Sequence, residues 1–240
     1  MSHSPLSELT RERLMRASTA SVTTELMALG FRNCHLHGLT ALNPGAGRLV
    51  GEAFTMRSIP AREDIDVLDI FKDPAHPQRR AIEVAPAGSV LVVDSREQTR
   101  AASLGHILAT RARVRGLAGI VTDGSVRDAI GFEQLDLPTF SAGASPTTNL
   151  AIHHVVDMDL PIACAGVPIF PGDIMMGDRD GVICIPRSVA DEVAEKAADR
   201  EDFEDFILEK IEAGAPLPGT YPPSDEVLDE YRRRTGEAPQ

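Results

Sequence analysis

Apolar positions in the first thirty residues recur at helical spacing, with Val22, Leu26 and Leu29 at i, i+4 and i+7 and Gly30 placed to terminate the run. One or two helices are predicted across Ser7 to Gly30. The stretch from Asn33 to Gly47 carries Gly38, Pro44, Gly45 and Gly47 and reads as a loop, whereas Arg48 to Ile59 reads as a strand. Ile65, Leu68 and Ile70 suit a short helix over Asp64 to Phe71, which Pro74 and Pro77 then break.

A regular rhythm follows. Ser89 to Val93 is an apolar run fit for a buried strand, Leu104 to Val114 has helical spacing, and Leu117 to Val121 is a second apolar run. This is the pattern of a βαβ unit. Its right-handed crossover sets the loops after Val93 and Val121 on one edge of a parallel sheet, where open α/β sheets bind ligands. Further strands are predicted at Thr139 to Phe140, Pro161 to Pro168, Asp173 to Met176 and Val182 to Ile185, the last two joined as a hairpin through Asp178, Arg179, Asp180 and Gly181. Ser188 and Asp191 have capping-box spacing at the head of a long acidic helix that ends at Gly214, with Val189, Val193 and Ala197 as its apolar stripe. The expected organisation is one α/β domain over residues 1–214 and a Pro/Gly-rich peripheral extension over 215–240.

Composition narrows the classes. With 240 residues, 42% hydrophobic and 25% charged, the chain can bury a sizeable core without disulfides or metals to staple it. Eight Phe, two Tyr and no Trp leave little for a base-stacking platform, and a net charge of -12 repels phosphate backbones, so nucleic-acid binding is not expected. No apolar run approaches the roughly 18 residues needed to span a membrane, and the polar N-terminus has no signal-peptide core. Cys34, Cys164 and Cys184 are scattered and odd in number, consistent with free thiols in a reducing cytoplasm.

Several chemical signatures fail. Gly45, Gly47 and Gly51 miss the dinucleotide spacing and precede a strand instead of following one; no Walker A, G-x-S-x-G or H-E-x-x-H pattern is present. Cys34, His35 and His37 lack a second ligand cluster at finger spacing, adjacent His153 and His154 point in different directions, and Asp178 and Asp180 read as turn formers without the rest of a calcium loop.

One segment stands apart: Gly116-Leu-Ala-Gly-Ile-Val-Thr-Asp-Gly-Ser-Val-Arg-Asp128, an apolar strand running into an adjacent Arg and Asp. Arg127 can clamp a carboxylate or an enolate oxygen, and Asp128 can supply the single carboxylate by which Mg²⁺ is often held. The crossover helix begins near Gly105, where free N–H groups suit a small carboxylate. On spacing alone, a surface salt bridge beside a capped helix fits equally well.

The run Gly105-His-Ile-Leu108, then Arg115 to Asp128, then Pro138-Thr-Phe140 with Gly143 and Pro146, resembles the RraA-like family. The blocks Gly51 to Thr55, Pro86 to Asp94, Pro171 to Asp173 and Asp180 to Pro186 extend the likeness over roughly residues 15–205. That family includes class II 4-hydroxy-4-methyl-2-oxoglutarate and 4-carboxy-4-hydroxy-2-oxoadipate aldolases and the regulator of ribonuclease E activity A. The resemblance implies a single-domain α/β/β sandwich of the swivelling β/β/α type, assembled as homotrimers or hexamers with sites between subunits. It implies that Arg127 binds the pyruvyl group, that Asp128 holds Mg²⁺ or Mn²⁺, and that the main chain of Gly105, His106, Ile107 and Leu108 grips the substrate carboxylate. In the aldolases a carboxylate stands 21 positions before the arginine; here that position is His106, which becomes a candidate acid/base.

The activity implied is retro-aldol cleavage of a 4-hydroxy-2-oxo acid through a pyruvate enolate, with oxaloacetate decarboxylation as a side reaction. Lys72, Lys196 and Lys210 are the only lysines and none lies in an apolar run, so a Schiff-base route is not expected. Glu195 and Glu201 on the acidic helix are candidates to reach a neighbouring subunit's metal shell. The alternative is a non-catalytic regulator that binds a ribonuclease through an acidic surface.

Overall fold

The computed structural model describes residues 5–236. Parallel strands form its centre: β2 (Leu49–Pro60), β3 (Val90–Asp94), β5 (Gly119–Arg127) and β6 (Thr139–Ala144), with the short β4 (Ala102–Gly105) paired to the end of β5. β1 (Thr40–Ala41) edges β6 antiparallel, and β7 (His153–Met158) lies antiparallel on the far half of β2. β10 (Ile174–Gly177) and β11 (Val182–Ile185) extend the sheet from the near half of β2, giving the order β1-β6-β5-β3-β2-β10-β11. A separate hairpin joins β8 (Ile162–Cys164) to β9 (Val167–Ile169).

Among the described residues seven α-helices complete the fold: α1 (Glu8–Arg16), α2 (Thr19–Ala28), α3 (Pro77–Val84), α4 (His106–Val114), α5 (Ala129–Glu133), α6 (Ala190–Glu212) and α7 (Asp225–Thr235).

Alternation along the strands assigns the layers. Leu91 and Val93 of β3, Ile120 of β5 and Met56 of β2 pack with Ala81, Ile82, Ala109, Ala112 and Phe132 from α3, α4 and α5. The intervening residues, Val90, Val92, Val121 and Leu49, face the other way and meet Met175, Val182 and Cys184 of the β10–β11 hairpin together with Ile162 and Ile169. The outer face of that hairpin, Ile174, Met176, Ile183 and Ile185, is covered by Leu14, Val22, Leu26, Val193 and Ala197 from α1, α2 and α6. The architecture is thus a single α/β/β sandwich with a further helical layer, as expected. The βαβ unit stands as read, and the three cysteines are free and buried.

Four details depart from the sequence reading. A helix, α3, begins at Pro77 itself, because proline's missing N–H costs nothing at a first helical position; the preceding segment forms only a 3-10 turn over Leu68–Lys72. Pro161 to Pro168 is not one strand but a hairpin turned by Ala165 (φ 48°) and Gly166 (φ 73°). The Ser188 capping box does not form: Arg187–Val189 is a 3-10 turn, α6 starts at Ala190, and Asp191 instead accepts from Thr10 Oγ1 at 2.7 Å. β7 is a strand that the sequence does not predict; its His153 and His154 point to opposite sides, as expected of adjacent residues, with His153 buried against Ala101 and Arg96 and His154 Nδ1 2.8 Å from Asp66 Oδ1. Among the described residues no helix is long and apolar enough to cross a membrane.

Candidate active site

Pairing of β4 with β5 opposes Gly105 to Arg127 and so sets the N-terminus of α4 beside the C-terminal end of β5. Gly105 caps α4 at φ −117°, a conformation open to any residue, so its need for glycine is spatial. A β-carbon there would lie 2.9 Å from Asp128 Oδ2 and 3.1 Å from Arg127 Cγ and Nε. Asp128 follows in the left-handed region (φ 62°, ψ 43°), which a short polar side chain tolerates better than most. That twist turns the chain from β5 into α5, and the Asp128 side chain makes no capping hydrogen bond to α5. Its carboxylate stands 3.6 Å from Arg127 Nε, an ion pair too long to be a hydrogen bond, with the two side chains 55% and 45% exposed. The two groups are neighbours without being locked together.

A pocket of about 190 Å³ opens here. Gly105, Ile107, Leu108, Arg127 and Asp128, all expected from the sequence, line it. So do Phe71, Gln78, Arg79, Thr148 and Asn149, which sequence reasoning missed because no motif marks them. The volume suits a small organic acid. A larger groove of about 510 Å³ runs between α2 and the His35–His37 pair. Its walls are mostly apolar, and the Arg32 and Asp180 that also line it form no ion pair with each other among the described residues.

His106 is the exception among the predicted residues. Its ring turns out of the pocket: a β-carbon on Gly131 would meet it at 2.5 Å, Phe132 lies edge-on with centroids 6.2 Å apart, and Nε2 lies 3.2 Å from Thr110 Oγ1. His106 is not among the lining residues; its main chain forms the first position of α4, where N–H groups have no intrahelical partner.

Two buried carboxylates lie outside the pocket, Asp94 at the C-terminal end of β3 and Asp123 in the middle of β5. Asp123 accepts N–H bonds from Ser95 (2.6 Å), Glu97 (3.2 Å) and Ala165 (3.2 Å), yet burial outweighs them and pushes its pKa up to about 6. Burial also raises the pKa of Asp94, whose Oδ1 accepts from Arg96 N–H at 2.9 Å. Arg96, Glu97 and Ala165 all have positive φ, so these carboxylates hold strained turns beside the strand ends.

The donor set suits one kind of cation. Among the described residues no group of three or more His, Cys, Asp or Glu is arranged to hold a metal. Mg²⁺ takes one or two carboxylates and fills its remaining positions with water and substrate oxygens, which the lone Asp128 carboxylate fits; a zinc site with three or four protein ligands does not. Glu195 and Glu201 are engaged within the chain, Glu195 with Arg13 at 3.1 Å and Glu201 as acceptor of Ser18 N–H at 2.7 Å. Asp178 accepts from Thr19 N–H (2.9 Å) and Asp180 N–H (2.9 Å), a turn that also caps α2.

Fold and site together define an α/β/β protein with a small pocket where a helix N-terminus meets the carboxyl ends of parallel strands. Comparison with known proteins gives the family. The RraA-like family, described as Aldolase/RraA, matches residues 19–184, and the chain belongs to it. A putative 4-hydroxy-4-methyl-2-oxoglutarate aldolase from Halalkalibacterium halodurans is 35% identical over 142 residues, 56% of this chain. The match covers 65% of that relative, just under two thirds of its length. Among solved structures, an uncharacterized protein from Pseudomonas syringae pv. tomato superposes with a TM-score of 0.79 at 27% identity, covering 91% of this chain and all of that one. Streptomyces coelicolor RraAS2, described as an unusual member of the RNase ES inhibitor RraA protein family, superposes with a TM-score of 0.74 at 32% identity over 86% of this chain and 98% of its own.

Proposed function

We propose that this chain is a divalent-metal-dependent lyase that cleaves a 4-hydroxy-2-oxo acid to pyruvate and a carbonyl compound, with oxaloacetate decarboxylation as a side activity. The observation that carries the reading is the convergence of Arg127, Asp128 and the α4 N-terminus on one small pocket across a glycine that admits no side chain. Relatives named as 4-hydroxy-4-methyl-2-oxoglutarate aldolases support the same chemistry.

In this mechanism the main-chain N–H groups of Gly105, His106, Ile107 and Leu108 take the substrate carboxylate, aided by the positive end of the α4 dipole. Arg127 donates to the 2-oxo oxygen. As the bond between C3 and C4 breaks, the 4-hydroxyl gives its proton to water and becomes the carbonyl oxygen of the departing product. The bond's electron pair moves to C3 and onto the 2-oxo oxygen as an enolate that the fixed guanidinium charge stabilises, and a proton from water then returns to C3 to give pyruvate. Mg²⁺ or Mn²⁺, held by Asp128, would polarise the same oxygen as a Lewis acid. Ile107 and Leu108 restrict water around the developing charge. The His106 ring faces α5, so its contribution in this geometry is the main-chain N–H, and the acid/base role first assigned to the ring requires it to turn.

Assembly as a homotrimer or hexamer in the cytoplasm accompanies this reading. Ile107 (80% exposed), which lines the pocket, and Ile130 (74% exposed), on α5 just after Asp128, are apolar surface that a neighbouring copy would cover. The substrate partner is a small oxo acid; no nucleic-acid or membrane partner is proposed.

The test is pyruvate release from hydroxy-oxo acids and oxaloacetate, with and without Mg²⁺. Turnover lost on chelation and in Asp128→Ala supports the lyase. Silence across the panel, with a ribonuclease inhibited or retained by the protein, replaces it with the regulatory reading suggested by the description of the Streptomyces relative.

A further inference from the structure

Strand β4 carries an extra residue. Ala102 pairs with Ser125 and Leu104 with Val126, so Ser103 stands opposite no residue of β5 and forms a bulge. In straight pairing from Ala102, Gly105 would oppose Asp128, and the side chains after the slip would change faces. The bulge is therefore what brings Gly105, and with it the N-terminus of α4, opposite Arg127.

Ser103 sits where β5 changes neighbours: β3 pairs with it up to Thr122, and β4 takes over at Ser125. Across this gap three buried hydroxyls close a ring. Ser103 Oγ lies 2.6 Å from Ser95 Oγ and 2.7 Å from Thr122 Oγ1, and the last two are 3.3 Å apart. Thr122 Oγ1 also accepts the Gly124 N–H at 3.1 Å. Gly124 leaves the room for the ring, since a β-carbon there would lie 2.6 Å from Ser103 Oγ. The Ser103 carbonyl is held as well, accepting at 2.6 Å from Nε2 of Gln78, which lines the pocket. Buried hydroxyls paired with one another contribute little more to stability than apolar groups of the same shape, but they fix one arrangement of the segments that carry them.

We propose that Ser103 is a positioning residue, whose hydroxyl ring holds the β4 bulge and thereby the alignment of the α4 N–H groups with Arg127. This rests on the keto acid lying between those two groups, as in the proposed reaction. A ligand with its carboxylate at one and its oxo oxygen at the other needs both in register, and a shift of about 1 Å between them is costly.

The test is calorimetric binding of pyruvate to the full chain with Mg²⁺ present, beside thermal melts. Ser103→Ala should bind pyruvate about tenfold more weakly. Its melting temperature should stay close to wild type, because Ser95 Oγ and Thr122 Oγ1 are near enough to pair with each other. Ser95→Ala removes an oxygen from the same ring but leaves the contact between Ser103 and Thr122, so its affinity should stay within about twofold. Thr122→Ser keeps the hydroxyl and should also stay within about twofold, whereas Thr122→Val keeps the shape and should lose about tenfold. A role in packing alone predicts the reverse order for the two Thr122 variants. That reversed order, wild-type affinity in Ser103→Ala, or equal weakening in all four variants overturns the assignment and leaves the lyase reading to stand on pyruvate release. The expected order in a protein that releases no pyruvate removes the lyase reading alone; a wild type that binds no pyruvate removes the keto acid site on which both depend.

Discussion

The Asp128 carboxylate lies over the α-carbon of Gly105 so closely that a methyl group on that carbon would stand 2.9 Å from Oδ2. Backbone conformation does not require the glycine, since φ is −117°. Gly105→Ala should therefore fold with a melting temperature close to wild type, because the half-exposed Arg127 and Asp128 side chains can swing aside. Swinging aside separates them from the α4 N-terminus. Pyruvate release is expected to fall by about 100-fold, the scale of losing an aligned electrostatic group; a thermal melt beside the coupled assay checks both halves.

Asp128 combines a left-handed backbone with a half-exposed carboxylate, and two substitutions separate these roles. Asn tolerates the left-handed region whereas Ala does not, so Asp128→Ala should lose about 1 kcal/mol of stability and Asp128→Asn almost none. Both should lose metal-dependent turnover by about 100-fold or more. Equal activity in Asp128→Asn and wild type would remove the carboxylate from the mechanism.

For His106 the main chain and the ring can be tested independently. Ring removal in His106→Ala should lower kcat/KM by no more than about threefold, since the imidazole packs on Gly131 and Phe132 outside the pocket. His106→Pro deletes the N–H at a first helical position that favours proline, after a residue already extended at ψ 173°. Here the chain should fold and KM should rise by about tenfold. The reverse order of effects would reinstate the ring as acid/base.

The parallel core and the Arg127–Asp128 corner were legible because both are local: continuous apolar runs mark strands buried on two faces, and the glycine-punctuated segment ends in the two charged residues themselves. The direction of the His106 ring was not, since it is decided by Gly131 on another helix. Pro77 misled because proline breaks a helix interior but opens a helix at its first turn, and the two contexts look alike before the chain folds. Arg79 and Asn149 line the pocket beside residues tied to β4, through Gln78 Nε2 to Ser103 O and Ala102 N–H to Thr147 O, and that short strand runs into the start of the predicted helix, so no sequence signal marks it. The capping-box spacing at Ser188 was outcompeted by a tertiary contact, Thr10 to Asp191.

The extension after Gly214 returns as α7, which packs Val227 and Tyr231 on Phe203, Phe206 and Ile207 at the far end of α6, apart from the three main clusters. Ion pairs from Arg234 to Glu209 and from Lys210 to Glu230 border the contact. A chain ending at Gly214 should keep its cooperative unfolding, with a Tm lower by no more than about 4 °C. It should also self-associate more, because Phe206 and Ile207 become exposed. Size-exclusion chromatography and calorimetry of the truncated chain check this; loss of the cooperative transition would make residues 215–240 part of the domain.

Asp123 should make stability fall as pH rises, the reverse of most carboxylates. Its pKa is pushed from 3.8 in the unfolded chain to about 6 in the folded one, chiefly by burial and with the nearby Asp94 charge acting in the same direction against three backbone N–H bonds. An acid whose folded pKa lies above its unfolded value binds the proton more tightly when folded, so its contribution is fully present below the unfolded pKa and is lost as pH climbs through the folded one. The difference of about 2 units corresponds to about 3 kcal/mol lost between about pH 4 and pH 6. Carboxylates held low by arginine partners, such as Glu83 and Glu209, oppose this in the total, so the comparison is made against Asp123→Asn, which keeps those pairs and removes the titration. The stability of wild type relative to that variant is expected to decline across this window, and the Asp123 carboxyl carbon should titrate by NMR with a midpoint near 6. A midpoint near 3.8 would mean that the Ser95, Glu97 and Ala165 amides outweigh burial. In that case the turns at Arg96 and Ala165 would be braced by a full charge throughout the physiological range.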